Sequence, residues 1–480
     1  MLTDIKLVRI LKTFQTADWR LLEKFIRSPW FVGKTDQKRL LGMLQVLKKV
    51  HPNYESLEEG TLSVAAFGVE QKKGQLSKLT SKLIKAIDQY LIQANQPPAE
   101  VQDFCLLAQS WEDRGESKLA QQKLEKAERA FTERSDRQLE YFNDGRLLAE
   151  ARIKAQATQS PAEITHYLYQ QEDYLDAWYL LAKLEQAVWK EAQRIQTKTP
   201  RQHVRLSMEN LQDAIDALDK DDYPVHVLYR TAWYFLRDYP KTALQSYYQL
   251  QQAIQRYGHL IASEKRKALQ TLLRIFTTSN YNQGKRDYLE LALQLYQQDL
   301  DAGDLYFDGK IHSQTLLNLV VLGLRSGAFD WVEHFLNAHE DKVWEEVHAL
   351  PIIRLNRALL AFYRGELAEA LDYLDDYYEN LYYRLTARRL EIMIYYEEQS
   401  VLLAPKLEAF KVYLFRLSKK EIPDKPKAMN NNFIDLLRQI VHPSTLGNEK
   451  RIQRLLKKIV VTERLAEREW LTAKLEALLP

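Results

Sequence analysis

Two histidines, three aspartates and one cysteine are the first places to look for reactive chemistry in this 480-residue sequence. His334 and His339 would suit a metal, but on a helix a five-residue step turns them about 140° apart. They read as structural or surface histidines. Asp299, Asp301 and Asp304 stand in "DLDAGDLYFDG" (299–309), which resembles the start of a calcium loop. Such a loop needs glycine at its sixth place and glutamate at its twelfth, where this chain has Asp304 and Lys310, so the stretch reads as an acidic connector. "LDKDDYP" (218–224) reads as a solvated turn. Cys105 lies between Phe104 and Leu106 with no basic residue nearer than Arg114, so nothing in sequence activates its thiol and a small buried hydrophobe is expected. As the sole cysteine it also excludes an intramolecular disulfide and a cysteine-pair zinc site. GxGxxG, GxxxxGK[ST], HExxH and GxSxG are all missing. The expectation is a chain that is no enzyme and takes no cofactor and no metal.

Recognition chemistry is better represented. "EKRIQRLLKKIVVTER" (449–464) puts Lys450, Arg451, Arg454, Lys457 and Lys458 on one helix, a face able to contact phosphates. The same helix carries Ile452, Leu455, Leu456, Ile459 and Val460, so docking of an amphipathic helix onto the rest of the chain accounts for it equally. Net charge is only +3, yet residues 1–95 hold 16 Lys/Arg against 9 Asp/Glu and residues 416–480 hold 14 against 8. The middle is therefore acidic, and the basic ends read as solvated faces or a polyanion contact. The 27 tyrosines, some in runs such as "YYENLYY" (377–383), read mainly as interhelical packing, with stacking platforms for a ligand as the alternative.

The elements that must position these groups are helices. Glycine (15) and proline (14) are scarce while Leu, Ala, Glu, Gln, Lys and Arg abound, which predicts long helices on short loops. Two proline-bearing stretches, "NQPPAE" (95–100) and "SKKEIPDKPKAMNNN" (418–432), suggest a division into 1–95, 96–417 and 418–480. Apolar spacing in the first part predicts about four helices. No leader peptide opens the sequence and no apolar run approaches the roughly 20 residues that span a bilayer, so no membrane contact and a cytoplasmic location are expected.

"LNLVVLGLRSGAFDWVEHFL" (317–336) and "LNRALLAFYRGELAEALDYL" (355–374) share a cadence 38 residues apart. Aligned on the turn glycines Gly115, Gly327 and Gly365, small or apolar residues recur seven before (Ala108, Val320, Ala358), five after (Ala120, Val332, Ala370) and nine after (Leu124, Leu336, Leu374). Small side chains let paired helices close together across a short turn. The pattern resembles the tetratricopeptide repeat, clearest in "FCLLAQSWEDRGESKLAQQKLEKA" (104–127), with Phe104, Leu107, Ala108, Trp111, Gly115, Ala120, Leu124 and Ala127 in place. It departs from that 34-residue family in spacing, in Arg354, Arg357 and His339, and in lacking the closing proline. "VHVLYRTAWYFLRDYPKTAL" (225–244) suggests a further unit. The opening, with its "SPWF" (28–31), resembles uncharacterised bacterial helical-repeat proteins.

The resemblance implies an all-α chain: a right-handed α-solenoid of helical hairpins with an N-terminal helical domain and C-terminal capping helices. It also implies a concave groove. In tetratricopeptide domains that hold peptides, an asparagine nine residues before the turn glycine faces that groove beside Lys or Arg. Here that place belongs to Asn318 and Asn356, with Arg325, Arg357 and Tyr363 nearby, Arg364 being a further cation. The expected function is a non-enzymatic scaffold binding a protein or peptide around residues 316–363; the alternative is nucleic-acid binding through the basic ends.

Overall fold

A computed structural model describes residues 6–69, 73–95, 100–156, 161–197, 200, 208–239, 241–344, 349–375, 378–418 and 420–479. The chain is all-helical apart from three very short strands, with twenty-three α-helices among the described residues. It divides into two compact units, one of residues 1–133 and 144–172, the other of residues 134–143 and 173–480.

In the first unit, helices Lys6–Leu11, Thr16–Arg27, Lys34–Lys49, Glu59–Phe67 and Lys73–Ala94 close over Leu22, Ile26, Met43, Leu47, Leu83 and Ile87. Glu59–Phe67 is one helix more than the sequence pattern shows. Its "EGTLSVAAF" is apolar and small almost all round, so no amphipathic stripe marks it. The hairpin Glu100–Glu112 and Ser117–Thr132 buries Val101, Cys105, Ala108, Ala120, Leu124 and Ala127. Leu107, expected inside, is 42% exposed, and Cys105 takes the inward place. Burial pushes the Cys105 thiol up to about 11, which keeps it protonated and inert at neutral pH.

The second unit has two cores. One gathers Leu181, Leu184, Tyr229, Trp233, Tyr247, Leu250 and Phe276, with Pro224–Arg237 and Leu244–Tyr257 packed as a hairpin. The other runs from Tyr281 to Leu475. From the stretch 418–432 this core takes Ile422, which is fully buried, while the helix Asp424–Ile440 starts at exposed residues and buries Phe433, Ile434 and Leu437 further on. Helices here pack chiefly on those next or next but one along the chain.

One turn recurs between helix partners. At Gly115, Gly327 and Gly365 φ is 78°, 80° and 85°, and the following amide (Glu116, Ala328, Glu366) donates to the carbonyl five residues earlier (Trp111, Gly323, Ala361) at 2.9 Å. This left-handed cap satisfies carbonyls left over at the helix end and reverses the chain. Sequence alignment misses three further copies of this cap, at Gly284 (Lys285 to Asn280, 3.2 Å), at Gly303 (Asp304 to Asp299, 2.8 Å) and at Gln399 (Ser400 to Tyr395, 2.9 Å). Gln399 adopts φ 53° without being glycine.

The strands are a second departure. Tyr306–Phe307 pairs antiparallel with Lys310–His312, which pairs in parallel with Val343–Trp344. The tight connection is Asp308-Gly309, both at positive φ as a two-residue hairpin turn requires. Fully buried Ile311 anchors this small sheet.

Two measurements test this packing. At Gly323 an added methyl would sit 2.6 Å from Val332 Cγ2, so Gly323→Ala forces the helix pair apart and is expected to cost about 1–3 kcal/mol in denaturant unfolding. His226 is fully buried, donates through Nε2 to the Ala177 carbonyl at 2.7 Å and lies edge-on to Phe142. Burial pushes it down from 6.5 to about 4, against the pull of the Ala177 bond. The unfolded chain takes the proton first, so stability is full above pH 6.5 and falls by about 3 kcal/mol as pH drops to 4. His226→Gln should remove this loss from the unfolding free energy measured across that window.

Candidate functional site

The second unit carries a cavity of about 340 Å³. Its walls come from Ser263–Asn282, Ser313–Arg325, Ala349–Arg364, Leu381–Glu397 and Asp424–Ile440, together with residues 465–469. The intervening helices Tyr288–Asp301, Phe329–His339, Leu367–Asp372, Leu403–Arg416 and Glu449–Val461 contribute no residue to it. Leu317, Val321, Leu359, Leu385 and Met393 give it an apolar floor.

A charged cluster forms one wall. Arg325 Nη2 donates to Glu467 Oε2 at 3.0 Å and Arg389 Nε donates to Glu467 Oε1 at 3.0 Å, so a single carboxylate bridges two guanidiniums from helices distant in sequence. All three side chains are largely buried, at 18%, 15% and 14% exposure. Arg389 also donates to Asn430 Oδ1 (2.9 Å) and Thr386 Oγ1 (3.2 Å). Beside it Tyr281 donates to Glu469 at 2.5 Å, and the Arg325 guanidinium lies 5.5 Å from the Tyr281 ring.

The electrostatics follow from this crowding. Burial opposes ionisation of Glu467, but Arg325 and Arg389 outweigh it and hold the carboxyl below its ordinary range. Burial likewise works against charge on Arg325, and Glu467, Tyr363 and Tyr281 more than restore it. Tyr363 and Tyr281 are pushed up by burial, with Arg325 pulling the other way. At neutral pH Glu467 is thus an anion, Arg325 a cation, and Tyr281 and Tyr363 neutral phenols. Glu467 holds this place at φ 50°, a left-handed conformation that costs a non-glycine residue roughly 1 kcal/mol.

Of the residues singled out in sequence, Asn318, Arg325 and Tyr363 all line this cavity. Asn318 accepts from Gln314 at 3.1 Å and donates to Tyr296 at 3.2 Å. Asn356, in the equivalent place, does not face the cavity. It is fully buried, because its amide donates to the Ile352 carbonyl of its own helix at 2.8 Å. Arg357 also lies elsewhere, donating to Glu340 and Asn337, and Arg364 pairs with Glu333 at 2.7 Å. Sequence reasoning missed Arg389, Glu467, Glu469, Tyr281 and Asn430. No spacing links them, since the Arg325–Glu467 contact spans 142 residues.

The basic face divides as an amphipathic helix must. Ile452, Leu455 and Ile459 are buried, while Lys450, Arg454, Lys457 and Lys458 are exposed. Arg451 is half-buried and donates to Thr445 at 2.9 Å, and Lys458 reaches Gln439 at 3.3 Å. Val460, expected on the apolar side, is 76% exposed.

Of the other reactive groups, Asp299, Asp304, His334 and His339 are internally engaged. Asp299 pairs with Arg274, and Asp304 with Arg266 at 3.0 Å. His339 donates to the Phe335 carbonyl and accepts from Tyr306 at 2.6 Å, while His334 donates to the Asp330 carbonyl. Among the described residues no group of three or more His, Cys, Asp or Glu side chains could hold a metal ion. No helix among them is long and apolar enough to cross a membrane. No family model, curated protein or solved structure gives a significant match to the chain.

Removing a member of a buried ion cluster leaves charge uncompensated, so Glu467→Gln is expected to lower stability by about 3 kcal/mol at neutral pH. The sign with pH is fixed by the lowered carboxyl: its contribution is complete above the ordinary glutamate value of 4.5 and is lost as pH falls through the lower folded value. Urea unfolding of the two proteins should therefore converge below pH 4.5.

Proposed function

We propose that this chain is a non-enzymatic cytoplasmic scaffold, an α-solenoid of tetratricopeptide-like hairpins whose concave side binds a protein or peptide. One observation carries the reading: the cavity is walled by the first helix of each successive pair and by none of the second helices. That alternation is what a concave face made of stacked hairpins produces, and the shared left-handed turn supports it.

Within the cavity the chemistry suits an extended polypeptide. Apolar residues offer burial for side chains, the Asn318 and Gln314 amides offer hydrogen bonds to a main chain, and Tyr363 and Tyr382 offer flat apolar surface with a polar tip. With a cavity of this size, ordering of the ligand offsets much of the contact energy, so affinity in the micromolar range, on the order of −8 kcal/mol, is the fitting scale.

A second reading rests on the four exposed cations Lys450, Arg454, Lys457 and Lys458, whose helix could lie along a phosphate backbone. The two readings separate experimentally. Asn318→Ala with Tyr363→Ala should release the protein that co-purifies from the native cell in the presence of nuclease, with helicity by circular dichroism unchanged. Neutralising the four cations should leave that partner bound. If instead the cavity variant keeps its partner while the cation variant loses a salt-sensitive oligonucleotide, the second reading replaces the first.

A further inference from the structure

We propose that the Arg325–Arg389 pair is a carboxylate-receiving site which the chain's own Glu467 fills, so that the partner taken by this groove is an acidic segment competing with Glu467. The inference rests on the groove reading above and names its ligand class. Arg325 and Arg389 come from helices that line the groove in their own right, and each spends one donor on a different oxygen of the same carboxylate. The carboxylate itself comes from residues 465–469, which enter the groove from the far end of the chain. This geometry is that of a bound acidic side chain, supplied in cis.

Three features make Glu467 a displaceable occupant. First, its neighbours are anchored without it: Leu465 and Ala466 are buried, and Ala466 donates its amide to the Met429 carbonyl at 3.3 Å. Downstream, Leu471 and Leu475 are fully buried, and Trp470 and Lys474 both donate to Glu397, at 2.8 and 2.6 Å. Rotation of the Glu467 side chain alone therefore vacates both guanidiniums, with no helix undocking. Second, Glu467 sits in a strained left-handed conformation at φ 50°, which the pairing with two arginines helps to hold. Third, Glu469 follows two residues later and is met by Tyr281 at 2.5 Å and Arg286 at 3.9 Å, so the groove wall offers donors for a second acidic group at short spacing. An acidic peptide satisfies the same donors, whereas a neutral one leaves the guanidiniums with Glu467 and gains nothing from them.

The test is fluorescence anisotropy with a fluorescein-labelled peptide of alternating glutamate and alanine, and its glutamine counterpart, on the full chain. Glu467→Gln removes the internal competitor and is expected to bind the glutamate peptide about tenfold tighter than wild type, an effect that shrinks between about 50 and 200 mM salt. Adding Arg389→Gln should abolish the gain, and the glutamine peptide should not respond to either change. Equal or weaker binding of the glutamate peptide by Glu467→Gln overturns the proposal, as does a gain that survives Arg389→Gln. Should Glu467→Gln fail to fold by circular dichroism, Glu467→Asp decides: its shorter reach loosens the bridge, and tighter peptide binding supports the proposal while unchanged binding rejects it. A partner whose capture needs Asn318 and Tyr363 but ignores every Glu467 change would leave the groove reading standing and remove this one alone.

Discussion

Everything in this chain turns on how closely two helices can approach across a reversal. An amphipathic helix must bury its stripe, and a hairpin does so only if the residues at the crossing are small and the chain can turn back within a few residues. Gly323 against Val332 sets that limit in one pair, and Ala108, Ala120 and Ala127 set it in another. The left-handed cap supplies the reversal, with the same pair of backbone bonds each time. Helices near one another in sequence pack together, and the second core runs from Tyr281 to Leu475.

The candidate site is a by-product of that arithmetic. Residues of five alternating helices line one cavity, so polar side chains from parts of the chain distant in sequence are collected along one wall. The wall is then closed by a contact that repeats alone do not provide. Glu467 neutralises Arg325 and Arg389 together, and its bridge links three parts of the second unit that are far apart in sequence. Two guanidiniums facing a shared cavity would repel each other and lack solvation. A single bridging carboxylate relieves both, at the expense of a strained backbone at its own residue.

How far the sequence anticipates this depends on the range of the interaction. The helices and the hairpins around Gly115, Gly327 and Gly365 are legible because capping and apolar spacing are local. Gly284 escapes because the helix before it ends in the polar "TTSNYNQGK", although Leu289 and Leu293 stand at the later offsets, and Gln399 because a left-handed glutamine announces nothing. The Asp308-Gly309 turn was a readable hairpin signal, masked by the acidic residues around it. In the site, Asn318, Arg325 and Tyr363 lie at fixed offsets from turn glycines and could be named. Asn356 shares the offset of Asn318 but rotates into its own helix, a choice made by packing. Arg389 and Glu467 meet across 78 residues and three intervening α-helices, and no local pattern encodes that meeting.

The bridge at Glu467 also sets an order of events during synthesis. Helices that pack on their immediate neighbours can settle as the chain lengthens, each pair closing soon after it emerges. Arg325 and Arg389 cannot be neutralised in this way until residue 467 has left the ribosome, 142 and 78 residues later respectively. From the synthesis of Arg389 onward, both guanidiniums wait 78 residues for the carboxylate they share. The segment that completes this wall is thus made well after the helices it bridges.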